Sequence, residues 1–110
     1  MNWKNIESEQ DLAEIKNRSI ETPQVIFKHS TRCSISSMAK SRLERAAPSQ
    51  NVEFNFLDLI KHKDLSQKIA EDFSVEHESP QILFIKNGEC VYNESHTGIS
   101  MDEIADQAVK

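Results

Sequence analysis

An α/β fold, with four strands in one mixed sheet and helices on both faces, is predicted by three observations. The run Val25-Ile26-Phe27 is continuously apolar, without alternation, and reads as a strand buried on both sides. One stretch of helical periodicity separates it from the next strand, and a strand–helix–strand unit of this kind requires a parallel, right-handed crossover. Near the end of the chain, Asn87-Gly88 lies between two apolar runs and marks a tight antiparallel hairpin.

The elements follow in order. Ser8-Glu9-Gln10-Asp11 resembles a capping box with Ser8 as N-cap, opening a short helix through Leu12 and Ile15 that ends near Arg18. Thr22-Pro23 breaks the chain, and residues 24–29 form the first strand. A second helix runs from about Ser34 to Ala47, with Ile35, Met38, Ala39, Leu43 and Ala46 at helical spacing, and Pro48 stops it. Val52, Phe54 and Phe56 alternate with Glu53 and Asn55 in the next strand. A third helix, Lys61 to Phe73, places Leu65, Ile69 and Phe73 on one stripe. After a loop come the strands 81–86 and 89–93, and a second capping box at Ser100 opens a last helix with Ile104, Ala105, Ala108 and Val109 inward. The predicted order is α-β-α-β-α-β-β-α.

The bulk numbers narrow the function. The 110 residues suit one domain, 1–110, with a modest core. A net charge of −5 argues against a broad nucleic-acid surface. No apolar run approaches the roughly 18–20 residues of a membrane span. The segment from Met1 to Glu7 is too polar for a secretory signal, and two cysteines far apart make no disulfide framework. A cytoplasmic protein is expected, in which an exposed thiol stays reduced unless it does redox work.

Cys33 stands where the first strand hands over to the second helix. A thiol there meets unpaired backbone N–H groups and the positive end of the helix dipole, which favour the nucleophilic thiolate. Lys28 and Arg32, close by in sequence, push the same way. Ser36 occupies the position at which a dithiol oxidoreductase carries its second cysteine, giving Cys-x-x-Ser. Cys90, beside Val91 and Tyr92 on the final strand, reads as packing or a passive thiol. His29 reads equally as a structural hydrogen-bonder or as a group that orients the loop or tunes Cys33. His62, His77 and His96 show no metal-ligand spacing with either cysteine, so no metal site is expected.

The element order is that of the thioredoxin fold, and the chain resembles the thioredoxin/glutaredoxin superfamily. More narrowly it resembles the YtxJ-type monothiol bacilliredoxins, through the block from Ile26 to Ala39 around Cys33, through Ser79-Pro80-Gln81, and through His96-Thr97-Gly98-Ile99-Ser100. The resemblance implies that Cys33 is the redox nucleophile. It implies that Pro80 is a cis-proline facing the sulfur, with Ser79 offering backbone hydrogen bonds to a bound thiol compound. Lys28, Arg32, Ser34 and Ile35, together with Gly98 and Ser100, complete the expected binding site for a low-molecular-weight thiol. In the mechanism these residues allow, Ser36 is expected to donate its hydroxyl to the Cys33 thiolate. Gly98 is expected to let a ligand approach the backbone, and Ser100 to offer a helix N-terminus to a carboxylate.

On this reading the activity is reduction of protein–bacillithiol mixed disulfides by a working monomer. Bacillithiol is co-substrate, bacillithiol-modified proteins are partners, and there is no tightly bound cofactor. Two alternatives stay open. One is a monothiol glutaredoxin-like [2Fe–2S] protein, disfavoured by Ser34-Ile35 in place of the Gly-Phe of such proteins. The other is a thiol sensor or interaction module that is modified once and does not turn over.

Overall fold

The structure, a computed structural model, describes residues 1–110. In order the chain forms β1 (Trp3–Asn5), α1 (Glu9–Arg18), β2 (Gln24–His29), α2 (Ser34–Arg45), β3 (Glu53–Asp58), α3 (Lys63–Phe73), β4 (Gln81–Lys86), β5 (Glu89–Ser95), a 3₁₀ turn (His96–Gly98) and α4 (Met101–Ala108). The sheet has five strands in the order β1-β3-β2-β4-β5, one more than the sequence predicts. β1 and β2 both run parallel to β3, while β4 is antiparallel to β2 and to β5.

The additional strand is β1. Its three residues carry no strand pattern, with Lys4 and Asn5 exposed, and its pairing is made by backbone. Ile6 extends it by donating its N–H to the Phe56 carbonyl at 2.9 Å. Trp3 then stacks on Phe27 at 5.6 Å and meets Phe54 and Phe56 at 6.0 and 5.9 Å. Its indole N–H donates to Glu44 of α2 at 3.0 Å. This residue ties the edge of the sheet to the helix that carries Cys33.

The two faces of the sheet hold separate cores. One lies beneath α1 and α3 and gathers Leu12, Ile15, Ile26, Leu65, Ile69, Leu83 and Ile85 among others. The opposite core lies beneath α2 and α4 and gathers Val25, Phe27, Ala39, Leu43, Ile82, Phe84 and Ile104. Successive residues of β2 and β4 thus enter opposite cores, as the pleat of a strand sealed on both sides demands.

Local chemistry sets the ends of the elements. Ser8 accepts the Asp11 N–H at 3.2 Å and Asp11 accepts the Glu7 N–H at 2.8 Å, a capping pair closed by aspartate instead of glutamate. Asn87 and Gly88 both take positive φ, 54° and 77°, as a two-residue hairpin requires. The hairpin tip is fastened to the end of α1, with the Asn87 N–H on the Ser19 carbonyl and the Gly88 N–H on its hydroxyl.

Two helical stripes differ from expectation. In α2 the buried residues are Ser36, Ala39 and Leu43, while Ile35 and Met38 face outward at 47% and 63% exposure. In α4 the buried pair is Met101 and Ile104, whereas Ala105 and Val109 are exposed. In α2 the small residues at the inward positions, Ser36 and Ala39, let the helix sit close to the sheet.

Trp3→Ala removes three aromatic contacts and one hydrogen bond from a half-buried position. A loss of about 2 kcal/mol is expected, below that of a fully buried aromatic, measured as a shift of the urea midpoint followed by circular dichroism. An unchanged midpoint would show that β1 contributes nothing to the fold.

Candidate active site

The site begins at the end of β2. After His29 the chain leaves the sheet through Ser30-Thr31-Arg32 and enters α2 with Cys33 as its N-cap, in extended conformation. The Cys33 N–H donates to the Ser30 carbonyl at 3.2 Å, and its carbonyl accepts the Ser37 N–H at 3.0 Å. No side chain caps this helix, and its first turn contains no acidic residue. Cys33 is half-exposed at the position a capping side chain normally takes, its sulfur makes no capping hydrogen bond, and no carboxylate competes in that turn.

Ser36 lies one turn further on and is fully buried. Its hydroxyl oxygen accepts the Ser30 N–H at 3.0 Å and is 2.7 Å from His29 Nδ1. His29 is 5% exposed, its ring 5.7 Å from that of Phe27 and 5.4 Å from that of Phe56. Burial, and after it the charge of Lys40, hold its pKa below the ordinary imidazole value. We assign the hydroxyl proton to the bond with Nδ1, because a neutral imidazole offers an acceptor there. Ser36 thus spends its hydroxyl inside the protein and makes no hydrogen bond to Cys33. It staples the end of β2 to the first turn of α2. Of the two readings of His29, the hydrogen-bonding one describes its geometry.

Lys28 is the largest departure from the sequence reading. It alternates with His29 and so enters the opposite core, where it is fully buried. Its ammonium donates to the Ser66 carbonyl at 3.3 Å and lies 3.3 Å from His77 Nδ1, which is also 3.1 Å from the Ser66 hydroxyl. Burial lowers the Lys28 pKa to about 8. A lysine held across the sheet is no contact for a ligand on Cys33. Arg32 and Ser34, by contrast, are exposed beside Cys33, and Arg32 takes no carboxylate partner.

The second wall is the loop before β4. The Ser79–Pro80 peptide is cis and Pro80 is buried. The β2–β4 register pairs Lys28 with Gln81, which brings Pro80 and Ser79 to the same end of the sheet as Cys33. The Ser79 hydroxyl is buried and has no partner within the protein. The Pro80 carbonyl accepts the His96 N–H at 3.0 Å, joining this loop to the 3₁₀ turn. Arg42 of α2 closes the circuit by donating to the His96 carbonyl at 3.2 Å and to the Ile99 carbonyl at 3.1 and 3.3 Å. Arg42 has no motif signature; its partners lie more than fifty residues away in the chain.

Gly98 and Ser100 are placed differently from expectation. A Cβ on Gly98 would lie 2.6 Å from Glu94 Cδ, so the missing side chain makes room for Glu94 rather than for a ligand. The Ser100 hydroxyl caps α4 by accepting the Glu103 N–H, and Asp102 and Glu103 already place two carboxylates in that turn. A further anion is unfavourable there.

A half-exposed thiol at a helix N-terminus, beside a cis-proline loop on a thioredoxin-type sheet, defines a thiol–disulfide oxidoreductase. Comparison with known proteins agrees. Residues 4–104 match the family described as monothiol bacilliredoxin BrxC, and the chain belongs to that family. Among solved structures it is similar to a proposed oxidoreductase with a thioredoxin fold, with a TM-score of 0.83 and 28% identity over 96% of this chain and 92% of that one. It shares its fold with Fasciola hepatica thioredoxin, with a TM-score of 0.74, 20% identity and 96% of each chain covered. Malassezia sympodialis thioredoxin shares it too, with a TM-score of 0.75, 16% identity, and 98% and 89% covered.

Two measurements test this geometry. Ser36→Ala strands the Ser30 N–H and His29 Nδ1 in the interior, and about 1–3 kcal/mol should be lost from the unfolding free energy; no loss would mean that the staple is idle. The Lys28 amine keeps its proton to about 8 in the fold, against 10.5 as the ordinary value. Between these values the unfolded chain binds the additional proton, so stability should rise as pH climbs from about 8 to 10.5. In Lys28→Met that rise should disappear and stability at pH 7 should increase by about 2 kcal/mol. A rise that persists in the variant would assign it to another group.

Proposed function

We infer that the chain removes bacillithiol from protein mixed disulfides in the cytoplasm, acting as a monomer with bacillithiol as co-substrate and no tightly bound cofactor. The observation that carries this reading is one half-exposed thiol at a helix N-terminus with no second thiol beside it. Cys33 opens at the helix N-terminus, while the partner position is a buried serine. Cys90 lies against the core beneath α1 and α3, where its S–H donates to the Tyr92 carbonyl at 3.2 Å and burial raises its pKa. The family's description as monothiol bacilliredoxin supports the choice of small thiol.

The Cys33 thiolate attacks the bacillithiol sulfur of the mixed disulfide. A new disulfide forms between Cys33 and bacillithiol, the old bond breaks, and the protein substrate leaves as a thiolate that takes a proton from solvent. No neighbouring thiol resolves the adduct. A second bacillithiol thiolate attacks the bacillithiol sulfur of the adduct, forming bacillithiol disulfide and returning Cys33 as thiolate. The unpartnered Ser79 hydroxyl, the backbone beside Pro80, and the exposed Arg32, Ser34 and Ile35 supply the contacts for the small thiol. Ser36 and His29 act at one remove, by fixing the turn that presents Cys33.

Intact-protein mass spectrometry tests the proposal. Reduced protein is mixed with a bacillithiol-modified substrate, alongside Cys33→Ser and Cys90→Ser. Wild type and Cys90→Ser should each gain one bacillithiol while the substrate loses one, and Cys33→Ser should gain none. Equal transfer from a glutathione-modified substrate would overturn the choice of small thiol. Absence of transfer to Cys33 from either donor would overturn the catalytic reading.

A further inference from the structure

Beyond Ile35, the outward face of α2 is not explained by the chemistry at Cys33. Ile35 and Met38 are exposed there, although large apolar side chains on a 110-residue protein gain nothing from water. Beyond them Ser37, Met38, Ser41, Arg42 and Arg45 line an open groove of about 420 Å³. Arg32, Arg42 and Arg45 have no carboxylate partner, whereas Lys4 and Lys40 each have one and Arg18 and Lys68 each have two. The only acidic residue of α2, Glu44, is occupied by Lys40 and the Trp3 indole. A chain of net charge −5 thus keeps its uncompensated guanidinium groups on the face that begins at Cys33.

The dimensions decide what fits. Arg45 lies twelve residues after Cys33, about 18 Å along the helix. A low-molecular-weight thiol the size of a tripeptide reaches about 10 Å when extended, so a small thiol bonded to Cys33 cannot reach Arg45. A polypeptide whose cysteine carries the disulfide under attack at Cys33 reaches it with about six residues.

We propose that the Ile35–Met38–Arg45 face of α2 docks the protein substrate, through an acidic segment that continues from its modified cysteine with an apolar residue near the start. This proposal rests on the redox reading above and adds to it the class of protein that is served. Met38 and Ile35 cover the apolar residue. Arg45, and the part of the Arg42 guanidinium not spent on the turn carbonyls, face the carboxylates. Charge complementarity across such a rim sets the encounter rate and the choice of partner more than the tightness of binding.

The test uses bacillithiol mixed disulfides of three synthetic peptides. One is a cysteine tripeptide. The second is a longer peptide with leucine next to the cysteine and four glutamates six to nine residues beyond it. The third has glutamine in place of each glutamate. Wild type should reduce the glutamate peptide with kcat/KM about three- to tenfold above the glutamine peptide at low salt, and the gap should close as salt is added. Arg45→Glu should erase or invert the preference. Met38→Asp should slow both long peptides. Neither variant should change turnover of the tripeptide, which also shows that the variants are folded. Equal rates for the two long peptides in wild type, or a preference undiminished in Arg45→Glu, would overturn the docking proposal. Failure to reduce any of the three, the tripeptide included, would overturn the redox reading and the docking proposal with it.

Discussion

Strand β2 is sealed on both faces, and a strand in that position must send each side chain into one core or the other. Every residue from Gln24 to His29 is buried. The pleat leaves no freedom in the assignment: Val25, Phe27 and His29 turn toward α2, while Ile26 and Lys28 turn toward α3. A register slip of one residue would place the Lys28 ammonium against the aromatic side chains Trp3 and Phe56 and put Phe27 in the opposite core. The position of Cys33 depends on this constraint, because the strand's last inward residue, His29, carries the bond that holds the first turn of α2.

The same constraint explains how two basic side chains adjacent in sequence come to behave so differently. His29 gives up its charge: burial and Lys40 both disfavour the imidazolium, and as a neutral ring it accepts from Ser36. Lys28 keeps a proton at pH 7 by finding the Ser66 carbonyl and His77 Nδ1. His77 is then pushed toward its neutral form, by burial first and by the Lys28 charge second. Its imidazole holds a proton less readily in the fold than in the unfolded chain. Its contribution to stability is therefore complete above about 6.5 and declines as pH falls through that value. Charge is thus removed from the strand's surroundings on one face and concentrated on a single ammonium on the other.

Much of this was legible in the sequence, because it depends on patterns that are local. The double-sided strand, the Asn87-Gly88 turn, both serine caps and the strand–Cys33–helix junction all lie within short windows, and the structure has them there. What was not legible depends on contacts between distant segments. The three residues of β1 become a strand only because β3 offers it backbone partners. The apolar spacing of α2 admits two inward stripes, and the sheet selects Ser36-Ala39-Leu43 because small residues permit close approach, which turns Ile35 and Met38 outward. Gly98 reads as an opening for a ligand until Glu94 is seen beside it. Lys28 reads as a neighbour of Cys33 because sequence distance hides which side of the pleat it takes.

The replacement of a second thiol by Ser36 follows from the same geometry. The position is fully buried, so a side chain there serves Cys33 only from within, at the base of the helix turn. A hydroxyl in that place is a strong donor and acceptor, and both capacities are used on groups that would otherwise be buried without partners, the Ser30 N–H and His29 Nδ1. A thiol is a weak donor and a weak acceptor and would hold the turn less firmly. The serine therefore exchanges a resolving group for a fixed helix start. A fixed start holds Cys33 at the N-terminus of α2, the positive end of the helix dipole. On the proposed mechanism, in which an external thiol resolves the adduct, Cys33 has to hold that adduct through a second encounter, and rigidity at that turn serves such an adduct.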